Sequence, residues 1–309
     1  MISTADISVK IGRLGTRTIS RLISNTESNN CKLSKLSVSF AHLRRGSGLS
    51  TIVEPVKAVL NGKLGAIVLR DSSLATASKT CIYKPMRGAL EMVLRELNYE
   101  LTSYEGESPE GRFPELVVDP SETKLNNRTT QYLPHHMDSI STGLRENKRC
   151  DLVILGGLSA DPFNQVYNSI VNLRVTLNTF KVIAPKQYQC LMNSKFKFSL
   201  PYSIAVRDSF PAITAPFYTK DRLNFTIEME GTTKEEKEAL KLFNECILAC
   251  TSRQIVTIEP AELLIINNSW FSHDRWVEFP DKPSQRSVAR GRAVPIKDAA
   301  TIAIASSRA

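Results

Sequence analysis

Apolar residues occur along the chain in short runs separated by polar turns, a pattern typical of a strand-rich protein. The clearest run, at residues 263–267, ends at Asn267-Asn268. A run of this kind predicts a buried strand, and the two asparagines predict the turn that ends it. Further strands are predicted at residues 65–70, 116–118, 150–157, 181–190, 196–200, 203–206, 224–229, 255–258 and 287–294.

Helices are predicted where apolar residues recur three and four positions apart. One helix spans residues 50–60 and ends at Asn61-Gly62, and another has its apolar face between residues 86 and 97. A capping box at residues 233–236 predicts a third helix that continues to about Arg253. Many short strands with helices at one side favour an antiparallel barrel or sandwich, most simply a jelly roll.

The chain has 309 residues, which allows one large domain or two small ones. We predict a single domain over residues 1–309, with residues 1–48 as a peripheral N-terminal extension. Residues 103–130 are rich in Pro, Gly, Ser, Glu and Asn. Because long irregular segments inside a domain usually serve a function, we expect a loop or lid over the site here.

Composition excludes several classes of protein. The net charge of +9 favours anionic ligands, but the basic residues are dispersed and do not alternate with aromatic ones, so we expect no nucleic-acid partner. No apolar run approaches the roughly 18–20 residues of a membrane span, so we expect no membrane partner. The six cysteines form no C-x-x-C pair, and the N-terminus lacks a secretory pattern. Reduced thiols and a cytoplasmic location follow, with a transit peptide at residues 1–40 as the alternative.

The chain has only four histidines, and two of them can join one carboxylate around a metal ion. His136 and Asp138 point the same way on an extended segment, whereas His135 points elsewhere. His273, from a distant strand, would complete the set. Two histidines and one carboxylate with open coordination positions suit non-haem Fe(II). The alternative for His136 and Asp138 is a surface His–Asp pair.

Arginines follow His273 on what reads as a strand. Arg286, Arg290 and Arg292 would share one face, and their charges would repel each other unless an anion lay between them. Fe(II) with one carboxylate ligand leaves a positive site for an anionic chelating ligand. The far carboxylate of a dicarboxylate would then suit a bidentate guanidinium such as that of Arg286. The alternative for Arg286 is a surface strand arginine.

These segments resemble a known family. Residues 134–138, residues 263–275 and the pair Arg286-x-x-x-Arg290 are similar to the Fe(II)/2-oxoglutarate-dependent oxygenases of the clavaminate synthase and taurine dioxygenase superfamily. The branch with the free-amino-acid hydroxylases looks closest. Weaker matches occur at residues 65–70, 150–162 and 258–265, so the resemblance covers roughly residues 50–295. It implies a mainly β fold with flanking helices, the double-stranded β-helix or cupin-like jelly roll.

The resemblance also implies roles for residues. His136, Asp138 and His273 would bind Fe(II), and Arg286 would bind the distal carboxylate of 2-oxoglutarate. Arg290 would lie near the substrate. The iron-bound carboxylate that radical halogenases lack is present as Asp138, which argues against halogenation.

Other positions follow the family less closely. The loop residues Asn127 and Arg128 lie where the family holds substrate amino-acid groups, although Arg128 could equally be a solvated loop arginine. A threonine that often contacts 2-oxoglutarate should fall near Asn164 or Gln165, and neither residue is threonine. The second cosubstrate contact is therefore not identified.

The implied activity is a dioxygenase that hydroxylates an unactivated C–H bond of a free or derivatised amino acid, in specialised metabolism. Fe(II) would be the cofactor, 2-oxoglutarate and O2 the cosubstrates, and succinate and CO2 the released products. Desaturation or cyclisation is an alternative outcome of the same chemistry. Two alternatives come from other classes: a catalytically inactive jelly-roll binding protein, and a DNA- or peptide-associated regulator, which only the high pI suggests.

Overall fold

A computed structural model of the chain describes residues 33–103, 112–117, 132–161, 166–201, 210–219, 222–250, 253–277 and 286–296. The strands are β1 (Leu33–Ser37), β2 (Ala66–Arg70), β3 (Tyr99–Leu101), β4 (Glu115–Val117), β5 (Leu133–His136), β6 (Leu152–Ser159), β7 (Val166–Asn172), β8 (Lys195–Phe198), β9 (Ile213–Pro216), β10 (Tyr218–Thr219), β11 (Arg222–Leu223), β12 (Met229–Glu230), β13 (Gln254–Val256), β14 (Glu262–Asn267), β15 (Phe271–Val277) and β16 (Ser287–Pro295). The helices are α1 (Phe40–Arg44), α2 (Leu49–Leu60), α3 (Lys79–Glu96), α4 (Ile140–Arg145), α5 (Leu173–Ile183), α6 (Pro185–Asn193) and α7 (Lys234–Leu248), with a 3₁₀ turn at Ser72–Leu74. No helix in these ranges is long and apolar enough to cross a membrane.

Two antiparallel sheets dominate the architecture. The larger, seven-stranded sheet has the order β1-β2-β14-β6-β16-β3, and β4 also pairs with β16. The smaller, four-stranded sheet has the order β13-β7-β15-β5. Among the described strands of the larger sheet, only the edge pair β1–β2 is parallel. An apolar cluster with members from both sheets lies between them, as expected of a jelly roll.

The run at residues 263–267 forms β14, a strand buried on both faces. Leu263 and Ile265 pack with the helices outside the larger sheet. Leu264 and Ile266 pack into the cluster between the two sheets. Because neighbouring side chains point to opposite faces, a strand covered on both sides needs a continuous apolar run, as this sequence has. Burying each of these side chains contributes about 1.5–3 kcal/mol.

The helices α1, α2 and α3 cover the outer face of the larger sheet. Phe40 of α1, Val56 of α2 and Met86 and Leu90 of α3 are buried in the cluster that this face forms. The predictions for α2, for α3 and for the strands β2, β6, β8, β13, β14 and β16 are confirmed, with ends shifted by a few residues. The capping box of α7 is confirmed as well, since Thr233 and Glu236 make both of its hydrogen bonds.

The strand predicted at residues 181–190 is wrong, because α5 and α6 occupy this segment. Asn172 caps α5 by accepting the backbone N–H groups of Arg174 and Val175, at 3.0 and 3.4 Å. Pro185 lies in the first turn of α6, where its missing N–H costs no hydrogen bond. Helix α5 buries its apolar face with α7 in a separate cluster. Tertiary packing of that face therefore decides the segment in favour of helix.

Other predicted elements differ in extent or lie outside the described residues. Most of residues 224–229 is irregular rather than a strand, and α7 ends at Leu248 rather than near Arg253. Strand β7 is additional to the predicted ones, and β15 carries His273, which was expected on a strand. The strand predicted at residues 116–118 is confirmed as β4, displaced by one residue. Strand β1, which lies within the predicted extension, pairs with β2. The strand predicted at 203–206 and most of the loop at 103–130 lie outside the described residues. The division into one domain with an extension and a lid stays a prediction.

Candidate metal centre

Two neighbouring strands of the smaller sheet bring the two predicted histidine ligands together. β5 and β15 are antiparallel, and His136 pairs directly with His273. Directly opposed residues point to the same face, so both imidazoles project into the space between the two sheets. Their ring centroids lie 4.5 Å apart. The register of one strand pair therefore sets half of the candidate site.

Asp138 joins them from the end of β5. It lies two residues beyond His136, and the chain turns at the next residue, Ser139, which has a left-handed backbone with φ 57°. One potential ligand atom from each of His136, Asp138 and His273 lies within 4.8 Å of the others, and all three residues are buried. The structure thus brings together the three residues that the sequence predicted to be ligands.

Hydrogen bonding orients the His136 ring. Its Nδ1 lies 2.8 Å from the Pro134 carbonyl oxygen, which can only accept, so Nδ1 carries the proton. Its Nε2 faces Asp138, with Oδ1 at 3.6 Å. A histidine that donates one ring nitrogen to a backbone carbonyl presents the other as a metal ligand.

Burial and charge prepare these groups for a cation. Burial, with a contribution from His136, lowers the pKa of His273 to about 3, so this ring is neutral at neutral pH. Burial would raise the pKa of Asp138, but Arg290, His136 and Arg292 outweigh it and hold that pKa well below its usual range. Burial would lower the pKa of His136, but Asp138 raises it. A buried carboxylate is thus kept ionised beside two imidazoles.

The donor set fits Fe(II). Asp138 Oδ2 and His273 Nδ1 are buried and, among the described residues, have no hydrogen-bond partner. Buried polar atoms of this kind are rare in proteins and need a ligand, a water or an ion to satisfy them. Two histidines and one carboxylate on one side of a cation leave further coordination positions open, as non-haem Fe(II) requires.

Two arginines of β16 lie against the carboxylate of Asp138. Arg290 Nη1 is 3.6 Å from Oδ1, and Arg292 Nε is 4.0 Å from Oδ2. The two arginines share one strand face by the period of two, as the sequence predicted. Arg292, which had no predicted role, is 8% exposed and faces the carboxylate. The larger sheet therefore contributes positive charge directly opposite the histidines of the smaller sheet.

Arg286 immediately precedes the same strand and is buried, with 7% of the residue exposed. Burial lowers its pKa to about 10, against the opposing effect of Asp161 and Glu259, and the guanidinium stays charged at neutral pH. Gly157 of β6 allows the backbone at Glu259 to approach, because a Cβ at residue 157 would lie 2.0 Å from the carbonyl oxygen of Glu259. Only glycine lets the segment before β14 approach β6 so closely.

Arg275 is a further cation of the site that the sequence had not singled out. It lies two residues after His273 in β15, and its guanidinium interacts electrostatically with those of Arg286 and Arg290. Burial has the largest effect and the two like charges a smaller one, and together they lower the pKa of Arg275 to about 10. An arginine of the smaller sheet therefore lies within electrostatic range of two arginines in or beside the larger sheet.

Glu228 is a second acidic group near the predicted ligands. Its carboxylate accepts a hydrogen bond from the Thr226 hydroxyl and interacts electrostatically with His136 and Asp138. Burial raises its pKa. Glu228 lies in an irregular segment without periodicity, so the pattern of the sequence does not indicate this interaction.

His135 points to the opposite face of the smaller sheet, as predicted. Its Nε2 is 3.3 Å from both Asp274 Oδ2 and Ser169 Oγ, and its Nδ1 is 3.3 Å from Ser272 Oγ. Burial, with His273 and His136, lowers the pKa of His135 to about 3, so it is neutral. This buried polar group ties β5, β7 and β15 together behind the ligands.

Several predicted site residues lie outside the described residues. Asn127 and Arg128 belong to residues 118–131, and Asn164 and Gln165 belong to residues 162–165. The substrate contacts expected of Asn127 and Arg128 stay predictions.

No protein-family model matches the sequence, and no curated protein matches it. Solved structures do match the fold. An asparagine oxygenase in complex with Fe(II), 2S,3S-3-hydroxyasparagine and succinate is 17% identical, with a TM-score of 0.62 over 94% of this chain and 91% of that chain. The non-heme iron oxygenase OrfP, in complex with Fe, succinate and (3S)-hydroxy-L-Arg, is 14% identical, with a TM-score of 0.61 over 85% and 94%.

A third match is a putative alpha-ketoglutarate-dependent taurine dioxygenase from Burkholderia xenovorans. It is 12% identical, with a TM-score of 0.56 over 86% of this chain and 90% of that chain. Each match covers nearly the whole of both chains. The predicted jelly roll is thereby confirmed, and the chain has the fold of these iron and alpha-ketoglutarate-dependent oxygenases.

Proposed function

We propose that this chain is an Fe(II)- and 2-oxoglutarate-dependent dioxygenase that hydroxylates a C–H bond of a free or derivatised amino acid. The observation that carries the proposal is the convergence of His136, Asp138 and His273 within 4.8 Å inside a jelly roll. The matched asparagine oxygenase and OrfP, whose complexes hold hydroxylated amino acids with iron and succinate, support it.

His136, Asp138 and His273 would hold the iron. Bound there, Fe(II) would supply the activation of O2 that is coupled to decarboxylation of 2-oxoglutarate. The chain's own part is to present one carboxylate and two imidazoles on one side of the ion. The burial of these three groups keeps bulk water from the reacting centre.

Arg286 would bind the distal carboxylate of 2-oxoglutarate. Its guanidinium is charged and buried, so a bidentate pair with a carboxylate would be little screened by water. Arg275, whose charge lies close to that of Arg286, would add to the attraction for a dianion. The excess of arginine at the site suits an anionic cosubstrate better than a neutral one.

An amino-acid substrate matches the remaining charges. Arg290 would attract the substrate carboxylate, with Arg128 and Asn127 of the loop as further contacts. Glu228 would attract the ammonium group, because its carboxyl group lies within electrostatic range of His136 and Asp138. A zwitterion placed between these groups would present its side chain to the metal-binding face.

The experiment measures substrate-dependent succinate by mass spectrometry over a panel of amino acids, with Fe(II) and 2-oxoglutarate supplied. Wild type should form succinate and a product with one added oxygen atom, and His273→Ala should form neither. His42→Ala is the matched control, because His42 is an exposed histidine of α1. It should behave like wild type.

Other outcomes separate the alternatives. A product that has lost two hydrogen atoms, with no oxygen added, would indicate desaturation or cyclisation. Equal turnover by wild type and His273→Ala would refute the assignment of the iron ligands. No succinate from wild type over the whole panel would favour an inactive binding protein. A small-molecule substrate and a cytoplasmic location remain part of the proposal.

A further inference from the structure

Asn268, the second asparagine of the turn after β14, contacts the backbone of Asp138. Its side-chain Oδ1 accepts the Asp138 N–H at 2.9 Å, and its Nδ2 donates to the Asp138 carbonyl oxygen at 2.9 Å. The residue is 1% exposed. One amide side chain thus binds both polar groups of the same backbone residue.

The two hydrogen bonds from Asn268 replace strand pairing just beyond the end of the β5–β15 ladder. The ladder between β5 and β15 runs from Leu133 to His136, so Asp138 lies beyond its end. A side-chain amide has the same donor and acceptor as a peptide group and can substitute for a neighbouring strand. Asn268 therefore fixes the backbone from which the Asp138 carboxylate projects.

Asn268 is itself anchored to the larger sheet. Its backbone N–H donates to the Asp151 carbonyl oxygen at 2.8 Å, just before β6. Its Nδ2 also lies 3.3 Å from the Cys150 carbonyl oxygen and 3.1 Å from Cys150 Sγ. These contacts leave the amide little freedom to rotate, so the position of Asp138 follows from that of β6 as well as of the turn.

We infer that Asn268 is a positioning residue that sets Asp138 relative to His136 and His273, so that the three can bind one ion. The inference rests on the proposed function. Asn268 precedes His273 by only five positions along the chain, and the short connection into β15 links them. The turn thereby couples the carboxylate ligand to the strand that carries the second histidine.

The neighbouring Asn267 provides a matched control. It is also 1% exposed, but its Oδ1 accepts the backbone N–H groups of Ser269 and Trp270 at 2.8 and 3.1 Å. Its Nδ2 donates to the Val59 carbonyl oxygen at 2.7 Å. No described contact joins it to Asp138. Its loss should weaken the turn and the packing of α2 without displacing the carboxylate.

The test compares wild type with Asn268→Ala, Asn268→Asp and Asn267→Ala. Mn(II), which does not need protection from air, serves as the probe in isothermal titration calorimetry, and the Tm of each metal-free protein reports its fold. Asn268→Ala should raise the Mn(II) Kd by about 10–100-fold, the range found when outer partners of metal ligands are removed. Asn268→Asp, which keeps the acceptor but not the donor, should have an intermediate Kd.

Asn267→Ala should lower the Tm and leave the Mn(II) Kd near that of wild type. A second readout is the ratio of hydroxylated product to succinate, which should fall in Asn268→Ala, because a displaced carboxylate leaves the ion poorly aligned with substrate. A residue with a merely structural role would lower the Tm without changing the Kd or this ratio.

The outcomes distinguish the inference from the proposed function. A wild-type chain that binds no Mn(II) overturns both. Wild type that binds Mn(II), together with a folded Asn268→Ala that has the same Kd, overturns the inference alone. If Asn268→Ala does not fold, Asn268→Asp decides in its place. If neither folds while Asn267→Ala does, Asn268 serves the fold rather than the ligand, and the inference fails.

Discussion

The pair formed by Arg292 and Asp138 gives a prediction whose size can be worked from the structure. Arg292 Nε lies 4.0 Å from Asp138 Oδ2, and the two side chains are 9% and 7% exposed. At this distance, with an effective dielectric constant of about 20, the attraction between unit charges is about 4 kcal/mol. The cost of burying both charges offsets much of this attraction.

The proposed perturbation is Arg292→Met, which keeps much of the volume and removes the charge. Asp138 would still have Arg290 Nη1 at 3.6 Å, so we expect a loss of only about 1–3 kcal/mol in the free energy of unfolding. Asp138→Asn removes the partner of both arginines and leaves their charges buried without it. Its expected cost is larger, about 3–5 kcal/mol.

The assay is urea unfolding of wild type, both single variants and the double variant, with a chelator present so that metal binding does not contribute. Removing the second partner after the first should cost less, because Asp138→Asn then leaves only the Arg290 charge without its partner rather than two arginine charges. We therefore expect a coupling free energy of about 1–3 kcal/mol between the two substitutions. A matched pair is Arg70 and Glu262, 3.9 Å apart with the arginine half exposed, which should couple by less than about 1 kcal/mol.

Additive losses at Arg292 and Asp138, with coupling below about 0.5 kcal/mol, would refute the reasoning. So would an Asp138→Asn variant that is more stable than wild type in chelator. Either result would mean that solvent or another group screens the two charges from each other.

Two further predictions concern the cosubstrate and the pH dependence of stability. Arg286→Gln should raise the KM for 2-oxoglutarate about 10–100-fold, because a charge-assisted hydrogen-bonded pair worth about 1.5–3 kcal/mol is lost. The control variant Arg70→Gln should leave this KM unchanged. Steady-state succinate formation measures the KM, and an unchanged KM in Arg286→Gln would contradict the role of Arg286. The pH prediction concerns Glu236. Burial would raise the pKa of its carboxyl group, but hydrogen bonds from Thr233 and Thr232 outweigh burial and hold that pKa below its usual value of 4.5. A carboxyl group with a lowered folded pKa stabilises the fold above its unfolded pKa and loses this effect as the pH falls through the folded value. Glu236→Gln should therefore cost about 0.3–1 kcal/mol near neutral pH and progressively less as the pH falls below 4.5 through the lowered folded pKa. The Tm of both proteins across this range measures the cost, and a cost that does not change with pH would contradict the prediction.

The sequence predicted those parts of the fold and site that depend on neighbours along the chain. Residues 263–267 are apolar at every position but the last, and a strand covered on both faces needs this. His136 and Asp138 project together because two residues of extended chain bring side chains to the same face. Arg290 and Arg292 share a face for the same reason. These relations follow from backbone geometry and need no knowledge of distant contacts.

The segment at residues 181–190 shows where local patterning was insufficient. Its apolar residues suited a short strand as well as a helix. Asn172, which caps α5, lies before the segment, and the apolar face of α5 packs against α7, more than fifty positions later. Packing of this kind overrides weak local preference, since most helical stability in proteins comes from burial of one face.

The contacts that support the candidate metal centre were decided by tertiary structure alone. The sequence placed Asn268 in a turn, and its contact with Asp138 spans 130 positions, a separation at which no periodicity operates. The contact of Arg292 with Asp138 depends on how the two sheets face each other, and that of Glu228 on an irregular segment. Local backbone geometry thus determined which side chains can act together within a strand. The packing of the two sheets determined which strands, and which supporting residues, meet at the site.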